Sequence, residues 1–123
     1  MRLVFDLDES LCTGRHQDAQ PIEGMGELLR ALRAQGHQVI IQTARGMGTS
    51  QGSVGKAIAL VGLITLQQLQ DWGFEYDEIL FGKPAGDLYY DDKMTDLQTL
   101  RMLAYVQSEH DTLSDRTSGE AGR

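Results

Sequence analysis

Arg2-Leu3-Val4-Phe5-Asp6-Leu7-Asp8-Glu9-Ser10 is the stretch on which the fold turns. Its apolar run stops abruptly at acidic residues, and a run of that length and composition predicts a buried parallel strand. Cys12 to Ile22 is polar and reads as a loop. Met25, Leu28, Leu29 and Leu32 then recur at helical spacing between Gly24 and Gln35, with Gly36 as a stop. A second apolar run, His37 to Thr43, centres on Val39, Ile40 and Ile41. Four glycines between Ala44 and Gly55 mark a loop, and a helical pattern follows from Val54 to Trp72, closed by Gly73. Tyr76 to Phe81 predicts a third strand, and Leu88-Tyr89-Tyr90 a fourth that ends in Asp91-Asp92. Thr95 is the expected cap of a last helix carrying Leu97, Leu100, Leu103 and Ala104. Trp72, Phe74 and Tyr76 are expected to pack the end of the second helix onto the sheet.

Strands alternating with helices imply right-handed crossovers, hence a Rossmann-like three-layer α/β sandwich with a mostly parallel sheet and helices on both faces. At 123 residues the chain is one domain, expected over residues 1–107. Residues 108–123 are polar and are expected to form a disordered tail. A hydrophobic fraction of 41% and a charged fraction of 24% fit a soluble globular domain. The net charge of -7 argues against a partner held by many nucleic-acid phosphates. A single cysteine, Cys12, excludes an internal disulfide framework, and no His is placed by the sequence to pair with it as a catalytic thiol. With no signal-peptide pattern and no apolar run near the roughly 18 residues of a membrane helix, the expected location is cytoplasmic and away from membranes.

In an open parallel sheet the ligand sits beyond the carboxyl ends of the strands. The residues at those ends are Asp6, Asp8, Thr43, Lys83, Asp91 and Asp92. Loops that merely begin there would supply a mixture of Ser, Asn and Gly. Four acids brought together repel one another unless a cation neutralises them, and an all-oxygen set suits Mg2+ rather than zinc. Lys83 and Thr43 add the positive charge and the donor that an anionic phosphoryl group requires.

Asp6-Leu7-Asp8-Glu9-Ser10 resembles the first motif of the haloacid-dehalogenase-like hydrolases, an Asp-x-Asp-x-Thr/Ser pattern after the first strand. Ile40-Ile41-Gln42-Thr43 is similar to their second motif, Lys83-Pro84 to the third, and Tyr89-Tyr90-Asp91-Asp92 to the fourth. The four stand in order over residues 3–92. Thr43-Ala44-Arg45-Gly46-Met47, Gly52-Ser53-Val54-Gly55, Tyr76-Asp77-Glu78-Ile79, Phe81-Gly82-Lys83-Pro84 and Tyr90-Asp91-Asp92-Lys93 further resemble a short capsule-biosynthesis phosphatase subgroup that lacks a large cap domain. The chain departs from the commoner pattern at Glu9, where glycine is usual, and at Ser10, where threonine is usual; Ser10 keeps the hydroxyl.

The resemblance implies a Mg2+-dependent phosphatase acting through an aspartyl-phosphate on Asp6. Asp8 would be the general acid and base, with a raised pKa suited to that task, and its backbone carbonyl would face the metal. Thr43 would hydrogen-bond a phosphoryl oxygen, and Lys83 would neutralise the phosphoryl charge and steady Asp6. Asp6 would ligate the metal; of Asp91 and Asp92 one, Asp91 in the commoner order, would ligate it directly and the other through water or by orienting the ligands. Ser10 joins them as a substrate-binding candidate. Arg45 either reaches a second anionic group on the substrate or is an ordinary surface arginine. The substrate implied is a small, sugar-like phosphomonoester, in capsule or surface polysaccharide synthesis, with no nucleic-acid partner.

Ser10 to Gly24 is too short for a separate lid, so the site is open; either a large substrate or a neighbouring subunit in a homo-oligomer would cover it. A phosphotransferase or phosphomutase on the same motifs would need the intermediate shielded from water. A receiver-like phosphorylatable module also gathers acids, a hydroxyl and a lysine, but places the phosphorylated acid on a later strand. Gly46 to Lys56 lacks a phosphate-loop pattern, because Ala57 occupies the hydroxyl position. His16 is expected on the surface.

Overall fold

A computed structural model describes residues 1–114. In chain order the elements are β1 (Arg2–Asp6), β2 (Cys12–Thr13), a 3-10 turn (His16–Asp18), β3 (Gln20–Pro21), α1 (Met25–Ala34), β4 (Gln38–Thr43), α2 (Val54–Asp71), β5 (Glu78–Phe81) and α3 (Leu97–Ser114). β1, β4 and β5 form a parallel sheet in the order β1-β4-β5, and β2 pairs antiparallel with β3 as a small ribbon within the stretch expected to be loop. The result is a small Rossmann-like α/β fold. α3 continues past Ser108 to Ser114, and the rest of the expected tail lies outside the described residues.

Register fixes where the strands finish. Asp6 lies beside Gln42 on β4, and Thr43 lies beside Phe81 on β5. The ladder runs one step further on each side: Leu7 N donates to Gln42 O at 3.1 Å, and Lys83 N donates to Thr43 O at 3.1 Å. Asp6, Thr43 and Lys83 are therefore delivered to one edge of the sheet by backbone pairing.

The core follows the two periodicities. Alternate strand residues Phe5, Leu7, Val39 and Ile41 meet Met25, Leu28, Leu29 and Leu32 of α1, Leu69 of α2 and Ala104 of α3 in one buried cluster. Leu29 is fully buried, so Leu29→Ala would cost about 2–5 kcal/mol in lost contact and cavity. Phe74 is buried where the chain leaves α2, and Trp72 meets it edge-on at 5.6 Å between ring centroids. α2 starts at Ser53, whose hydroxyl accepts from Lys56 N. The N-cap of α3 is Asp96 rather than Thr95: Asp96 Oδ1 accepts from Thr99 N at 2.8 Å.

The expected fourth strand is not formed. Tyr89 folds back on its own segment, its hydroxyl donating to Pro84 O at 2.6 Å and accepting from Gly86 N at 2.8 Å. Leu88 and Tyr90 are left 93% and 104% exposed. Leu88–Tyr90 pairs with no strand, so among the described residues the outer edge of β1 is unpaired.

Candidate active site

The edge at which β1, β4 and β5 finish opens into a cleft of about 480 Å3 whose lining includes Asp6, Asp8, Glu9, Arg15, Arg45, Lys83 and Tyr89. Gly46 brings the loop after β4 against α2: it has φ 78°, and a Cβ there would stand 3.0 Å from Ala57 Cα. Only glycine satisfies both the left-handed conformation and the close approach.

Asp6 and Lys83 form one ionic unit of the cleft. Lys83 Nζ lies 3.1 Å from Asp6 Oδ1, and the lysine side chain is mostly buried while the aspartate is about one-third exposed. The Tyr89 ring covers the same ammonium at 4.1 Å from its centroid, a cation–π contact that holds Lys83 from the other side.

Asp8 and Arg45 form the second unit. Arg45 Nη2 lies 2.9 Å from Asp8 Oδ1, and Arg45 Nε lies 3.0 Å from Oδ2. Arg45 is only 7% exposed, so it is not a surface arginine. Its Nη1 donates to Gln68 Oε1 at 2.6 Å and to Thr65 Oγ1 at 3.1 Å, both on the buried face of α2. All three nitrogens are thus committed inside the protein, which leaves none for a second anionic group of a substrate. Both carboxylate oxygens of Asp8 meet donors. Cys12 Sγ also lies 3.4 Å from Asp8 Oδ1, and burial, followed by the Asp8 charge, pushes its thiol up to about 12. A thiol held neutral there is a packing group and not a nucleophile.

Thr43 is fully buried, its hydroxyl accepting from Arg45 N at 3.0 Å, and it lies behind the cleft lining. Ser10 is exposed on the turn after Leu7 and does not line the cleft. Glu9 has φ 67°, a left-handed conformation that glycine adopts at less cost.

Asp91 and Asp92 are exposed and do not line the cleft. Asp91 Oδ1 instead accepts from Lys93 N at 2.8 Å, a local turn that replaces the strand end expected there. Among the described residues no three His, Cys, Asp or Glu side chains stand together as a metal-holding group. With Asp6 and Asp8 each held by a cation, this donor set as placed does not fit Mg2+.

Sequence reasoning missed three of these features. Arg15 carried no motif. Thr65 and Gln68, polar residues inside an otherwise apolar helical stripe, were the visible sign that a buried charge needed partners. Tyr89 read as a strand residue.

No family model and no curated protein matches the chain. A crystal structure of a structural-genomics target from Vibrio cholerae is similar over 86% of this chain and 98% of its own, with 31% identity and a TM-score of 0.70. The two proteins belong to one family. The description of the Vibrio cholerae family member names no activity. Among the described residues of this member, no helix is long and apolar enough to cross a membrane.

Proposed function

We propose that this chain is a phosphomonoester hydrolase of the haloacid-dehalogenase-like type, without a large cap, acting on a small sugar-like phosphate. The observation that carries this reading is the ion pair of Asp6 with Lys83 at the carboxyl edge of a parallel sheet, two residues before a second restrained carboxylate. A carboxylate nucleophile needs positive charge nearby to offset its repulsion of an approaching phosphoryl anion, and Lys83 supplies it.

In the proposed reaction an Asp6 oxygen attacks phosphorus, and the bond to the leaving oxygen breaks. Asp8, protonated on an oxygen released from Arg45 while the other oxygen stays on the guanidinium, supplies that leaving oxygen with a proton. Water then attacks the aspartyl-phosphate, gives its proton to Asp8, and regenerates Asp6 with release of inorganic phosphate. Arg45 fixes the direction of Asp8 throughout, and Lys83 stabilises the phosphoryl charge. Mg2+ belongs to this proposal only with Asp91 or Asp92 brought to Asp6. The unpaired edge of β1, which ends at Asp6, is where Leu88–Tyr90 would add as the fourth strand, burying side chains now in solvent.

The direct test is incubation of the full chain with p-nitrophenyl phosphate and Mg2+, then with EDTA. Many turnovers support the proposal, and their loss on chelation would show that a metal takes part. A single stable phosphorylation would favour a signalling module, and turnover indifferent to EDTA would remove the metal from it.

A further inference from the structure

Three cations line the cleft, and two of them are already paired: Lys83 with Asp6 and under the Tyr89 ring, Arg45 with Asp8, Thr65 and Gln68. The third is Arg15, which is exposed and has no ion pair among the described residues. The nearest acid in sequence that lines the cleft, Glu9, accepts from the Thr13 hydroxyl instead.

The backbone of Arg15 is nevertheless fixed. Its carbonyl accepts from Asp18 N at 2.9 Å, closing the 3-10 turn. Gly14 before it has φ 100°, and a Cβ there would meet Ala19 Cα at 3.1 Å and Asp18 O at 3.2 Å. The turn therefore admits only glycine, and it sets the point from which the Arg15 side chain departs. A guanidinium on an anchored backbone, with no hydrogen bond or ion pair to another described residue, is suited to clasp a carboxylate or phosphate through two parallel bonds. The cleft volume of about 480 Å3 is that of a site for a whole small molecule rather than for a phosphoryl group alone.

We propose that Arg15 selects substrates whose leaving group carries a second anion, a carboxylate or a second phosphate, while the reacting phosphoryl group meets Asp6 and Lys83. This rests on the hydrolase reading for the identity of the reacting group. It moves the second-anion role from Arg45, which the fold consumes internally, to Arg15.

The test compares three probes on the full chain: glucose 6-phosphate, 6-phosphogluconate and fructose 1,6-bisphosphate. The expected result is a kcat/KM for one or both of the doubly anionic probes above that for glucose 6-phosphate. In Arg15→Gln that ratio should fall by roughly tenfold to a hundredfold, as for loss of a charged hydrogen-bonded contact, mainly through KM. Arg15→Lys should restore part of it. A carboxylate preference is read from 6-phosphogluconate and a phosphate preference from the bisphosphate. Equilibrium binding of the same probes to Asp6→Asn, with and without Arg15→Gln, decides the matter even if no probe is turned over. A chain without turnover sinks the hydrolase reading, whereas equal affinity for all three probes, or a preference that survives Arg15→Gln, overturns the role of Arg15.

Discussion

Arg45 grips Asp8 at two points, Nη2 to Oδ1 at 2.9 Å and Nε to Oδ2 at 3.0 Å, from a position almost wholly inside the protein. Removing the arginine would take a donor from Gln68 and from Thr65 and would deprive Asp8 of its restraint. Arg45→Met is therefore expected to lower stability by about 1–3 kcal/mol, less than for a fully buried pair because Asp8 is partly exposed. In a double-mutant cycle with Asp8→Asn, monitored by urea midpoint, the two changes should be clearly non-additive. Strict additivity would mean that the pair carries no coupling.

Cys12 offers a chemical probe of the same region. Its thiol is completely buried and pushed up to about 12. The folded protein should therefore resist iodoacetamide at pH 8, and the same residue should alkylate readily in denaturant. Rapid labelling of the native chain would contradict the packing around Asp8.

Asp77 ties the start of β5 to β4. Its Oδ2 accepts from Val39 N at 2.8 Å, and Arg33 Nη2 donates to its Oδ1 at 2.9 Å. The Val39 hydrogen bond first, and Arg33 second, hold its carboxyl below the ordinary value near 3.8. A folded-state value below the unfolded one gives stabilisation that is present above that ordinary value and is lost as pH falls through the folded value. Asp77→Asn should lower Tm at pH 7, with the difference from the parent chain shrinking as pH drops below about 4. A difference that stays constant over that range would exclude the linkage.

Asp96 caps α3 through Thr99 N. Asp96→Ala should cost about 1 kcal/mol with loss of helical circular dichroism, and Thr95→Ala should cost little. The reverse pattern would restore Thr95 as the cap.

The alternation of apolar runs with helical spacing made three strands and three helices readable, because each repeats a period that burial imposes. Asp6, Asp8 and Lys83 were readable for a related reason: they sit where strands stop, and register carries strand ends to one edge. Arg45 was harder. Its partners on α2 are twenty or more residues away in sequence, and nothing local separates a buried arginine from a solvated one. Leu88-Tyr89-Tyr90 misled for a physical reason. Apolar and aromatic content matches a strand, but the Tyr89 hydroxyl finds two backbone partners within its own segment, which sequence pattern does not reveal. Arg15 was invisible because what marks it out is an absence: among the described residues it has no ion-pair partner, unlike the other two cations of the cleft.

In the proposed reaction Asp6, steadied by Lys83, becomes phosphorylated during turnover of a phosphomonoester. Borohydride trapping of the acyl-phosphate during turnover of p-nitrophenyl phosphate, followed by peptide mass spectrometry, reads that step at its residue. Reduction at Asp6 is expected in the parent chain, and neither trapping nor turnover in Asp6→Asn. Trapping at another carboxylate, or undiminished turnover by Asp6→Asn, would contradict that reaction.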